Sequence, residues 1–209
     1  MTILLIACYF SILILFVMVF LDKDHSLSVN DFRNMGIEVF VPYEQSIKKP
    51  QTRHFGSFKV TALPMLDKTM EVWQHTNAKD LSQCPIYGFL IEVEGQKLLY
   101  VTDCKQCVWN FKKQKINHML LGIDFQNELL SDDEAKRHHV LTGHMSLSTG
   151  IDMVKANATN SLRTVILCHM SDNSADRDIC IAEIQKVSEL ANVDVAEKGK
   201  CWELSLTPF

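Results

Sequence analysis

The segment that most restricts this chain is its first apolar run. Residues 3–21 read ILLIACYFSILILFVMVFL, with no charge, no Gly, no Pro and a single Ser. As a helix the run would extend about 28 Å at about 1.5 Å per residue, close to the thickness of a bilayer core. A transmembrane anchor through residues 3–21 fits that length. A cleaved signal peptide fits poorly: only Met1 and Thr2 precede the run, neither is basic, and no small-x-small cleavage site follows. A third reading makes the end of the run, Leu15 to Leu21, a central strand of a covered sheet. Periodicity does not separate the three. The same run is the source of the mean hydropathy of +0.01. The remaining residues have an ordinary soluble composition.

At 209 residues the length suits one domain, or one with a small appendage. A formal charge of −4 gives no reason to expect a large nucleic-acid footprint. The seven Cys follow no framework spacing, which points to reduced thiols and a cytosolic setting.

Along the chain, Ser26 can cap a helix over residues 27–35 with Val29 and Phe32 on its inner face and Gly36 as its stop. Strands are predicted at 37–41, 58–63, 87–93, 97–102, 117–123, 164–168 and 193–196, with Glu94-Gly95 joining two of them as a hairpin. Residues 45–51 and 68–84 read as loops. Residues 131–139 read as a charged helix or turn. Helices are predicted at 147–156, capped by Ser146, and at 176–191, where Cys180, Ile184, Val187 and Ala191 form the apolar stripe. Hairpins dominate the middle and strand–helix alternation the second half, so the chain is a mixed α/β protein with layered sheets.

Acids and histidines recur at the C-terminal ends of apolar segments, where α/β sheets place ligands. Asp24-His25 follows the apolar run, Asp103 the strand at 97–102, and His169 the strand at 164–168. His75 lies in the polar loop before the hairpin, and His144 in Thr142-Gly143-His144. Imidazole and carboxylate gathered from several strand ends suit zinc, or iron or manganese. The competing reading of each is a capped turn or a surface histidine. Cys104 and Cys107 form a CxxC with no second knuckle at zinc spacing, so structural thiols are the expectation and a redox pair the rival. His138-His139, beside Asp132, Asp133 and Glu134, reads as a solvated face. No P-loop, GxGxxG or GxSxG motif is present.

Taken in order, Asp24-His25-Ser26, residues 87–91 (YGFLI), residues 100–103 (YVTD), Ile116-Asn117-His118, residues 143–146 (GHMS) and residues 167–171 (LCHMS) resemble a metallo-β-lactamase-fold hydrolase. The likeness is to the bacterial and phage branch that includes exonuclease-like proteins. It covers residues 21–204. It implies an αββα sandwich, incomplete at the N-terminus, with residues 1–20 as an apolar segment and 21–209 as the domain. In that family an HxHxDH motif, a later His, a bridging Asp and a final His hold two metals. The resemblance makes Asp24 and His25 the end of that motif, His75 the later His, Asp103 the bridging Asp and His169 the last His. His144 falls in a segment that faces substrate. The first two His of the motif fall on Phe20 and Asp22; Phe cannot ligate, and Asp22 replaces a neutral ligand by an anionic one.

The function this implies is metal-dependent hydrolysis, phosphodiesterase- or nuclease-like. One or two zinc ions, or manganese or iron, would activate water. Asp22, Asp24, His25, His75, Asp103 and His169 would be ligands, Asp24 would orient the water, and His144 would contact the departing group. The partner would be a nucleic acid or another phosphodiester. Two rivals remain. One is a non-catalytic member of the fold, which Phe20 and the missing first strands motivate. The other is a domain tethered to a membrane through residues 3–21, facing the cytosol.

Overall fold

A stretch that is apolar at every position needs cover on both sides, and the second half of the chain holds two such stretches, around residues 119–121 and 165–168. The structure, a computed structural model, describes residues 6–8, 11–15, 29–45, 47–67, 69–71, 74–76, 83–188 and 190–204. It divides into two compact units, one up to Val93 and one from Glu94 onward.

In the first unit, β1 (Ile6–Cys8) and β2 (Ser11–Leu15) pair antiparallel, Ile6 opposite Leu15 and Cys8 opposite Ser11. This part of the apolar run is therefore strand. The rest of the run, Phe16 to Leu21 included, lies outside the described residues. Among the described residues no helix is long and apolar enough to cross a membrane. Helix α1 (Val29–Asn34) buries Val29 and packs Phe32 on Val39 and Val41, the inner face the sequence predicts. The strand expected at 37–41 does not form; Phe40 makes only an isolated bridge, and a 3-10 turn follows at Pro42–Gln45. Phe40 is spent on side-chain packing instead, between the rings of Phe55 and Phe89 with Arg53 over its face.

β3 (Gln51–Phe55) and β4 (Phe58–Pro64) form an antiparallel hairpin. β5 (Gln74–Thr76) and β6 (Gln83–Pro85) are short paired strands inside the stretch expected to be loop. β7 (Tyr87–Val93) pairs antiparallel with β4. β3 escapes the sequence reading because Gln51-Thr52-Arg53-His54 carries polar side chains on both faces; backbone pairing to β4 holds it.

In the second unit the strands run parallel. β8 (Gln96–Val101) pairs with β9 (His118–Gly122). After β9 come helices α2 (Glu134–Gly143) and α3 (Leu147–Asn157). β10 (Thr164–Cys168) then pairs with β9, helix α4 (Arg177–Val187) follows, and β11 (Asn192–Val195) pairs with β10. Every residue of β9 and all but the first of β10 are buried. Ser146 caps α3 by accepting from the Thr149 N–H at 3.2 Å, and Asp176 caps α4 by accepting from the Ile179 N–H at 3.0 Å. Cys180 and Ile184 are the buried side chains of α4.

Two close approaches bring the ends of these elements together. A Cβ on Gly122 would stand 2.5 Å from Thr102 Oγ1 and 2.9 Å from Thr102 Cα. A Cβ on Gly150, in α3, would stand 2.7 Å from Ile123 Cδ1. Because Thr102 offers backbone as well as side chain at Gly122, the strand ends cannot simply step aside. Gly122→Ala is expected to destabilise the protein by about 1–3 kcal/mol through this overpacking, measured as a lower urea midpoint; an unchanged midpoint would show that β8 and β9 part freely here.

Candidate metal centre

Parallel strands deliver their next residues to a common edge. β8 ends at Val101 and is followed by Thr102 and Asp103. β9 ends at Gly122 and is followed by Ile123 and Asp124. β10 ends at Cys168 and is followed by His169. Asp103 and His169 both turn with positive φ, 51° and 55°. Asp and His are among the side chains that tolerate this left-handed region, which costs others on the order of 1–2 kcal/mol. The turns bend both side chains back over the strand ends.

His144 arrives from the helices. It follows the last residue of α2, its N–H donating to the Val140 carbonyl at 3.0 Å, and it precedes the Ser146 cap of α3. Residues 123–126 tie these pieces together. The Ile123 N–H donates to the Cys168 carbonyl at 3.0 Å, and the Ser171 N–H to the Asp124 carbonyl at 3.1 Å. On the other side the Asp124 N–H donates to the Met145 carbonyl at 3.0 Å, and the Leu147 N–H to the Phe125 carbonyl at 2.8 Å. One short segment thus holds the His144 and His169 loops at the same time.

The result is a cluster in which Asp103, His144 and His169 each offer a donor atom, all within 4.8 Å of one another. His169 Nε2 lies 2.7 Å from Asp103 Oδ1, and His144 Nδ1 lies 3.5 Å from the same oxygen. The His144 and His169 rings stack, 5.4 Å between centroids and 17° between planes. His169 Nδ1 faces Asp124 Oδ1 at 3.4 Å, so a second carboxylate fixes the ring from behind. Asp103 is 3% exposed. Burial works to lower the His169 imidazole, but hydrogen bonds and charge from Asp103 and Asp124 outweigh it and raise the ring to about 10. His139 stands edge-on to His144 at 5.4 Å, and burial, then the His144 charge, pull it below its usual value against Asp124.

Of the residues the sequence singles out, Asp103, His144 and His169 meet. Asp22, Asp24 and His25, with Phe20, lie outside the described residues. His75 sits on β5, opposite Cys84 of β6. Asp124 was missed, although it is the first polar residue after an apolar strand, the same signal that marks Asp103 and His169. His138 is exposed as expected, but His139 is half-buried against His144 rather than on a solvated face. Burial pushes the Cys104 thiol well up and the Cys107 thiol to about 12, so both are protonated at neutral pH. Cys168, buried beside Thr102, is likewise pushed to about 12.

The donor set fits a divalent ion. Two ligands about 2.1 Å from one tetrahedral ion stand about 3.4 Å apart; His144 Nδ1 to Asp103 Oδ1 matches at 3.5 Å, whereas His169 Nε2, hydrogen-bonded to that oxygen at 2.7 Å, would have to draw back by about 0.7 Å to share an ion. One carboxylate with two imidazoles suits zinc, iron or manganese.

No family model matches the sequence, and no curated protein matches it. Solved structures do. The metallo-β-lactamase fold protein YhfI from Bacillus subtilis is similar over 85% of this chain and 62% of its own, at 16% identity and a TM-score of 0.51. The chain has the metallo-β-lactamase fold. The Zn(2+)-bound PqqB from Methylobacterium extorquens is similar at 16% identity over 87% of this chain and 62% of that one, TM-score 0.47. Human tRNase Z, short form, is similar at 15% identity over 86% and 63%, TM-score 0.47. The chain spans less than two thirds of the length of each of these structures. The likeness is one of metallo-β-lactamase fold and singles out no exonuclease-like branch.

Two outcomes follow for the metal-free chain. His169 titrates at about 10 rather than at its ordinary 6.5. Its raised value contributes stability that is complete below about pH 6.5 and is lost as pH rises through about 10, seen as a falling denaturation midpoint. Asp124→Asn should bring the His169 titration down in an NMR pH series and weaken zinc about 10–100-fold; an unmoved titration would remove Asp124 from its orienting role.

Proposed function

We propose that this protein is a metal-dependent hydrolase of phosphodiesters. The observation that carries the reading is the convergence of Asp103, His144 and His169 donor atoms within 4.8 Å. A bound divalent ion lowers the pKa of its water from about 15.7 towards 7, which supplies hydroxide at neutral pH. Asp103 brings a buried negative charge to that ion. His169, braced by Asp124, presents Nε2 in a fixed direction. His144 gives a third donor and from there borders the departing group. The family resemblance alone assigns Asp22, Asp24, His25 and His75 as further ligands, with Asp24 as the residue that would orient the water. Zinc is the proposed ion and the cytosol the proposed setting; Cys104, Cys107, Cys168, Cys180 and Cys201 are free thiols.

A second reading, a non-catalytic member of the fold, draws support from Phe20, which stands where the family places a ligand. One experiment separates the two. Purified protein should carry about one zinc per chain by elemental analysis, hydrolyse bis(p-nitrophenyl) phosphate, and lose both properties in His169→Ala. Zinc without turnover favours the non-catalytic reading, and the lack of any stoichiometric ion overturns the hydrolase.

A further inference from the structure

Beside the centre lies a cavity of about 520 Å³, walled by α2 and by the turn that follows His169. His139 belongs to both places: it lines the cavity, and its ring meets His144. Lys136 and Arg137 line it from α2, with the Lys136 side chain largely exposed, and Ser131, Ser171 and Asn173 add hydroxyl and amide groups. None of the described lining residues is acidic. Asp133 meets Lys136 at 3.9 Å but is not part of the wall. Acidic residues stand close by in the chain, Asp172 between Ser171 and Asn173 and Asp132, Asp133 and Glu134 ahead of Lys136, so Lys136 and Arg137 are the two cations that face the cavity in an otherwise acidic neighbourhood.

We propose that this cavity receives a second phosphoryl group of the substrate, adjacent to the ester that is cleaved. The inference rests on the hydrolase reading and names the substrate class more narrowly. A carboxylate offers two oxygens in one plane. A phosphoryl group offers three around a tetrahedron, which two cations and several neutral donors from two different elements can meet together. The cavity wall is also fixed to the centre. The Ser171 N–H donates to the Asp124 carbonyl at 3.1 Å, and the Gln126 N–H to the Ser174 carbonyl at 2.7 Å. A phosphoryl group held there would set the distance from its neighbour to Asp103, His144 and His169.

The test uses the full chain, stripped of metal by chelation and titrated with inorganic phosphate by calorimetry. The wild type should bind saturably. Lys136→Ala with Arg137→Ala should bind about tenfold or more weakly, as the loss of two charge-assisted contacts demands. Lys136→Arg with Arg137→Lys, which keeps both charges but changes their geometry, should bind more tightly than the alanine pair. A wild type with no saturable binding, or an alanine pair that binds as tightly, overturns the proposal. In the zinc-loaded enzyme the alanine pair should raise KM about tenfold for a dinucleotide bearing a terminal phosphate. It should leave kcat, zinc content and bis(p-nitrophenyl) phosphate turnover unchanged. Equal losses on both substrates overturn the proposal. If neither substrate is cleaved, the hydrolase reading fails while the phosphate titration still decides the cavity.

Discussion

A carboxylate taken out of water must be answered by positive charge, and Asp103 is the place where this fold meets that demand. At 3% exposure it has little solvent to turn to. A protonated His169 answers it in the metal-free chain, through Nε2 at 2.7 Å. A divalent ion would answer it better, because the same oxygen also faces His144. Ion and proton therefore compete for one site, and the carboxylate sets the terms for both.

The frame around Asp103 is mostly backbone. Residues 123–126 bring one side chain, Asp124, to His169, and their amides and carbonyls hold the loops of both His144 and His169. Gly122, immediately before them, permits β8 and β9 to close on each other at Thr102. The geometry of the centre thus depends on small residues and main-chain hydrogen bonds. Larger side chains in β9 and β10 are busy elsewhere, in filling the core.

Much of this was legible in the sequence. Strands β7, β8, β9, β10 and β11 lie within a residue of their expected places because a short apolar run marks each of the first four, and the alternation of Val193 and Val195 marks β11. The start after Ser146 follows from capping chemistry, and the helix expected over 176–191 forms over Arg177–Val187 with Asp176 as its cap. Asp103 and His169 were found from their position after a strand, and the metallo-β-lactamase fold from the order of short motifs. What stayed hidden has a common cause. β3 is polar on both faces, and its pairing with β4 is a backbone matter that side-chain pattern does not encode. Phe40 looked like a strand residue because it is apolar, whereas its role is ring packing. His139 sits in a charged stretch, and only the approach of α2 to His144 takes it out of solvent. Asp124 carries the same signal as Asp103 and His169, the first polar residue after an apolar strand.

The buried thiols lie beside the centre without joining it. Cys104 directly follows Asp103 and Cys168 directly precedes His169, so sulfur flanks two of the three donors in the chain. Among the described residues neither joins the donor cluster. Burial keeps both protonated, and a thiol that holds its proton is a poor ligand. The donors that converge are therefore nitrogen and oxygen, the kind that suit zinc, iron or manganese. The same packing that fills the strand ends keeps sulfur in the core and out of the donor cluster.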